Sequence, residues 1–79
     1  MPKLPIISGQ KLVKALAGLG YEIDHQTGSH IILRHKDPPF RRLTIPNHKE
    51  IDRGTTGAIY RQALKYISEE DLEKHFYSE

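Results

Sequence analysis

The chain has 79 residues, 37% of them apolar, with no cysteine and a formal net charge of +2. One thin domain over residues 1–79 is expected, because a chain this short buries only about 60–65% of its unfolded surface and leaves no room for a second domain or a nucleotide-binding βαβ array. The missing cysteines exclude a disulfide scaffold, a thiolate zinc site and a cysteine nucleophile.

Pro2 and Pro5 predict an extended arm at the start, and Met1–Ile7 lacks the apolar stretch of a signal peptide. No apolar run approaches the roughly 18 residues of a membrane span, so a cytoplasmic protein with no membrane association is expected. Ser8 then precedes a helical pattern. Leu12, Leu16 and Leu19 recur at i, i+4 and i+7, with Val13 and Ala17 beside them and Lys11 and Lys14 off the centre of the stripe. The Ser8 hydroxyl suits an N-cap, and Gly20 stands where a left-handed residue would end the helix.

Two strand patterns follow. Tyr21, Ile23 and His25 alternate with Glu22, Asp24 and Gln26, which predicts opposite faces for the two sets. After a turn at Thr27-Gly28, Ile31 and Leu33 share one face, and His30, Ile32 and Arg34 the other. Lys36-Asp37-Pro38-Pro39 predicts a tight turn. Residues 41–45 read as a third strand with Leu43 and Ile45 inward, ended by Pro46. Short strands joined by tight turns make an antiparallel meander.

Residues 46–54 read as a polar loop, after which Thr55 or Thr56 would cap a second helix. Its apolar positions are Ile59, Tyr60, Ala63, Leu64 and Ile67. Ser68 and Asp71, in capping-box spacing, open a short acidic helix to about Phe76, with Leu72 and Phe76 as its stripe. The fold class is α+β in the order α-β-β-β-α with a short C-terminal helix. Two helices cover one face of the sheet and leave the other open. The expected core is Leu12, Leu16, Leu19, Ile31, Leu33, Leu43, Ile45, Ile59 and Leu64.

The charge is uneven. Residues 1–67 carry +6 and residues 68–79 carry −4. A basic body points to a polyanion partner, and a solvated mixed surface is the competing reading. Arg34, Lys36 and Arg42 are expected near the face of His30, with Arg61 and Lys65 at i, i+4 on the second helix. Gly54-Thr55-Thr56-Gly57 would open that helix with backbone N–H groups free for an anion. Tyr21, Phe40 and Tyr60 are too scattered for a base-stacking platform.

Among the histidines, His25, His30 and His35 are spaced by five and are expected on alternating faces, and no metal-ligand spacing occurs. No metal and no cofactor are therefore expected. His30 follows Gly28-Ser29 at a strand start and points away from Ile31 and Leu33. An imidazole on an open face, with a reference pKa of about 6.5, suits proton transfer near neutral pH. An ordinary surface histidine is the bland alternative.

The ordered set Ser8-Gly9, Leu16 through Gly20-Tyr21, Gly28-Ser29-His30, Pro46-Asn47-His48-Lys49-Glu50-Ile51, Gly54-Thr55-Thr56 and Ile59-Tyr60-Arg61-Gln62-Ala63 resembles the HicA toxins, over roughly residues 8–67. These are small mRNA interferases of toxin–antitoxin systems. The resemblance implies a fold like a double-stranded-RNA-binding domain, metal-independent cleavage of mRNA with His30 as the essential residue, and neutralisation by a HicB-type antitoxin. Attack by the RNA 2′-hydroxyl needs a proton removed, a dianionic phosphorane stabilised and a leaving oxygen protonated. One histidine does not do both transfers, so a second shuttle is needed. His48, His25 and Ser29 are candidates, with His48 placed first. Ser29, Arg34, Lys36, Arg42, Arg61 and Lys65 are the candidate RNA contacts. A non-catalytic RNA-binding module and a protein-docking domain are the alternatives.

Overall fold

The computed structural model describes residues 6–76, and the proline arm expected from Pro2 and Pro5 lies outside the described residues. The elements are α1 (Gly9–Ala17), β1 (Tyr21–Thr27), β2 (His30–His35), β3 (Arg42–Pro46), α2 (Arg53–Leu64) and α3 (Glu69–Phe76). The strands form one antiparallel sheet in the order β1-β2-β3. This is the α-β-β-β-α arrangement read from the sequence, closed by a further helix.

Ser8 caps α1, its Oγ accepting from the Lys11 amide at 3.1 Å. The helix stops earlier than its leucine stripe implied. Gly18 is the C-cap, and Leu19 and Gly20 donate back to Leu16 and Ala17 in a tightening turn. Gly20 does take the left-handed conformation, with φ of 101°, at the entry to β1. A side chain there would also meet the His35 ring. That ring has a structural job. Its Nδ1 accepts from the Asp37 amide at 3.1 Å, which leaves Nε2–H to donate to the Leu19 carbonyl at 3.0 Å.

The start of α2 differs from the sequence reading. Asp52 is the N-cap, and its carboxylate accepts from the Thr55 amide at 3.0 Å and the Thr55 hydroxyl at 2.7 Å. The helix therefore begins ahead of Thr55. An aspartate cap three residues before a threonine satisfies two donors at once, which a threonine cap does not. Ile51, placed in the polar loop by its neighbours, is instead a core residue: only 2% of it is exposed, and its amide donates to the Ile7 carbonyl.

Of the expected core, Leu12, Leu16, Ile31, Leu33, Leu43, Ile45 and Ile59 are buried, while Leu19 and Leu64 sit half-buried at its margin. Tyr21, Ile51, Tyr60, Ala63, Leu72 and Phe76 complete it. The last two come from α3. Ser68 Oγ caps that helix at the Asp71 amide, Leu72 is fully buried, and the Phe76 ring meets the Tyr60 ring edge-on at 5.1 Å. The acidic helix is thus a third wall of the core.

Two outcomes follow. Leu72→Ala should lower the unfolding free energy by about 2–5 kcal/mol, read from the urea midpoint, because the cavity opens in the middle of the core. At the cap, the Thr55 hydroxyl and amide hold the Asp52 carboxyl below the usual carboxylate range. A lowered folded value stabilises the fold above the ordinary carboxylate range and stops doing so as pH falls through it. The gap in melting temperature between the parent and Asp52→Asn should therefore be widest near neutral pH and close as the solution is acidified.

Candidate active site

β2 is the central strand, so each of its outward residues has a neighbour on both sides. Cross-strand pairing arranges the open face in three rows: Thr27–His30–Pro46, His25–Ile32–Thr44 and Glu22–Arg34–Arg42. Paired residues share a face. His30 therefore points away from the core, as expected, and it is exposed.

The middle row corrects the reading of β1. A strict alternation puts His25 on the core face with Tyr21 and Ile23. The register instead shifts between Ile23 and His25, pairing Ile23 with Leu33 and His25 with Ile32. Asp24 is the extra residue of this β-bulge, and it turns His25 over to the open face. His25 and His30 consequently lie on one face, against the alternating placement their spacing predicts. Nδ1 of His25 lies 2.7 Å from Asp24 Oδ2. That hydrogen bond, helped by Arg42 and Arg34 nearby, holds the Asp24 carboxyl below its ordinary range.

Backbone contacts fix the position of His30. The Asn47 amide donates to the Ser29 carbonyl at 2.6 Å, and the Gly9 amide donates to the His48 carbonyl at 2.8 Å. The start of β2, the loop after β3 and the start of α1 are joined in one seam. Gly9 makes that seam possible, since any Cβ there would run into the Pro46 carbonyl and the Asn47 backbone. Among the described residues, nothing hydrogen-bonds the His30 ring, so backbone contacts position it and the imidazole is left exposed. His48 lies in the same seam, its carbonyl taken by Gly9 and its side chain exposed.

The cations do not converge on His30. Arg34 and Arg42 share its face but stand four residues along the strand, about 13 Å away at strand rise. The Arg34 guanidinium stacks on Phe40, 4.2 Å from the ring centroid. Lys36 lies past the end of β2, lining a cleft with His35, Asp37 and His75. Lys65 lines a small pocket at the β3 edge with Arg41, Arg42 and Gln62, and Arg61 is exposed on α2. The start of α2 is not the open anion cradle expected from its small residues. Asp52 occupies it, and Thr56 and Gly57 are buried.

Sequence reasoning passed over several residues. Lys11, Lys14, Gln26 and Asn47 line a groove of about 500 Å³ between α1 and β1, beside the His30 end of the sheet. Arg41 stacks on Tyr66 at 4.4 Å. Charge alone could have flagged the lysines, but only the packing of α1 against the β1 edge brings them to this end.

The family model described as the HicA toxin of bacterial toxin–antitoxin matches residues 9–64, which hold α1, the sheet and α2. The chain belongs to the HicA toxin family. No curated protein and no solved structure matches it. Membership assigns this HicA chain the toxin role in a toxin–antitoxin pair, and with it an antitoxin partner. Among the described residues, no helix is long and apolar enough to cross a membrane.

The seam is directly testable. Gly9→Ala should destabilise this HicA protein by about 1–3 kcal/mol, the usual range for overpacking. Its largest amide chemical-shift changes should fall at Ser29, Asn47 and His48, where α1 pushes the loop off β2.

Proposed function

We propose that this toxin is an endoribonuclease that cuts mRNA in the cytoplasm without a metal ion, that His30 is its catalytic histidine, and that a HicB-type antitoxin neutralises it. The observation that carries this reading is the state of His30. Its backbone is tied into a three-way seam while its ring is exposed and unheld, on the face that no helix covers.

RNA brings its own nucleophile, the 2′-hydroxyl beside the scissile phosphate. The enzyme has only to move protons and stabilise charge. His30 takes the 2′-hydroxyl proton. Ser29 adjoins it and contacts the same phosphate. Arg34 and Arg42 stand too far along the strands for that phosphate and bind others further along the chain. Arg61, Lys65 and Lys36 extend this basic surface. The second proton transfer needs a further group on this face, for which His48, next to the seam, is a candidate.

The test is His30→Ala, measured in four ways against the parent. Cleavage of RNA in EDTA should fall by at least about 10²-fold, the scale of a positioned acid or base. The melting temperature should hold, since the side chain is exposed and lies outside the core. RNA affinity should change less than about tenfold and keep its steep fall with salt, which comes from the arginines and lysines. Expression should no longer arrest growth. A stable variant that still cuts at the parental rate would leave a non-catalytic RNA-binding module as the better reading.

A further inference from the structure

The reaction needs two proton transfers, and the open face carries two histidines in reach of one another. His25 pairs across the strands with Ile32, and His30 stands two residues before Ile32 on the same face. Such diagonal neighbours on an antiparallel pair are about 7–8 Å apart. Two imidazoles at that separation can flank one phosphate, each with a ring nitrogen within hydrogen-bond reach of a different oxygen, about 2.6–3.2 Å. Regular alternation would have left His25 beneath the sheet. The bulge at Asp24 is what brings it up, and bulges beside active sites characteristically re-aim a side chain in this way.

We propose that His25, turned onto the open face by the bulge and oriented by the Asp24 carboxylate, is the second catalytic histidine and protonates the leaving 5′-oxygen. The proposal rests on the ribonuclease reading above. The 2′-oxygen–phosphorus bond forms and the phosphorus–5′-oxygen bond breaks. The 2′-hydroxyl proton goes to His30, and the 5′-oxygen takes its proton from His25. The products are a 2′,3′-cyclic phosphate and a free 5′-hydroxyl, and the two rings reset by exchange with water.

The division of roles follows from what holds each ring. Asp24 lies 2.7 Å from Nδ1 of His25, so that nitrogen is committed and Nε2 faces the solvent. Asp24 stays ionised well below neutral pH, its carboxyl held down first by this hydrogen bond. His25 is therefore held in one orientation against a carboxylate, which sets it as the donor. Among the described residues His30 has no such partner and serves as the acceptor. The other charged groups on this face are Glu22 on β1, Arg34 on β2 and Arg42 on β3. His48 lies past the end of β3, where no strand pairing sets its side-chain direction.

The experiment compares the parent, His25→Ala, His25→Gln, His30→Ala and His48→Ala on two substrates. One is an ordinary oligoribonucleotide. The other carries sulfur in place of the bridging 5′-oxygen, and its thiolate leaves without a proton. Both His25 variants should keep the parental melting temperature, since the side chain is about half exposed, with a relative exposure of 52%. Each should lose at least about 10²-fold on ordinary RNA and recover to within about fivefold of the parent on the sulfur substrate. His30→Ala should stay slow on both. The pH profile of the His25 variants should lose its alkaline limb, which reports the acid. Equal loss on both substrates would overturn the donor role. Parental rates in the His25 variants, with His30→Ala or His48→Ala inactive, would overturn the proposal and leave the ribonuclease reading standing. A parent inert on both substrates would remove the ribonuclease reading and this proposal together.

Discussion

The position of His30 on the open face depends on how closely Gly9 lies against the backbone of Pro46 and Asn47. No other residue type fits, because a Cβ would occupy the space of the Pro46 carbonyl. That approach lets the Gly9 amide reach the His48 carbonyl and sets the loop after β3 so that Asn47 reaches Ser29. The position of His30 is thus fixed by three pieces of chain distant in sequence, none of which uses the imidazole. Placing a side chain through its backbone leaves that side chain without competing partners.

The bulge in β1 is the second constraint, and it acts at the opposite edge of the sheet, beside the next row. An extra residue costs a pairing in the ladder, next to Ile23, which is 61% accessible. What it yields is two adjacent polar residues, Asp24 and His25, on one face, which a regular strand cannot supply. The groove between α1 and β1, lined by Lys11, Lys14, Ile23 and Gln26, opens under this irregular edge. Its cations stand at the His30 end, whereas Arg41, Arg42 and Lys65 gather at the other.

Much of the architecture was legible because its signals are local and periodic. The leucine stripe of α1, the alternation of residues 30–34 and the Ser68 cap each state their own geometry. Two of the failures, the bulge and Ile51, come from tertiary partners. Nothing in Tyr21–Thr27 marks Asp24 as a bulge residue, since the bulge is a relation between two strands. Ile51 looks like a stray apolar residue in a polar loop until Ile7 pairs with it. Thr55 looks like a cap until Asp52 takes its amide. For the site, the face of His30 followed from alternation. The distance from Arg34 and Lys36 was also implicit in the strand rise, yet shared charge and nearness in sequence suggested convergence that an extended strand does not allow.

The two faces of the sheet also divide the physical labour. Ile31, Leu33, Leu43 and Ile45 bury the inner face against α1 and α2, and α3 adds Leu72 and Phe76. A domain this small has little stability to spare, so its inner face has no room for polar groups that do not pack. Among the described residues, the strand histidine on that side, His35, is held at both ring nitrogens and unavailable for chemistry. On the open face the reverse holds. His30 and Thr44 are exposed, and Ile32 is only partly covered. Side chains there contribute little to the core and are under no packing constraint. An exposed sheet face of this kind persists in a chain with so small a core only because the helices are all committed to the other side.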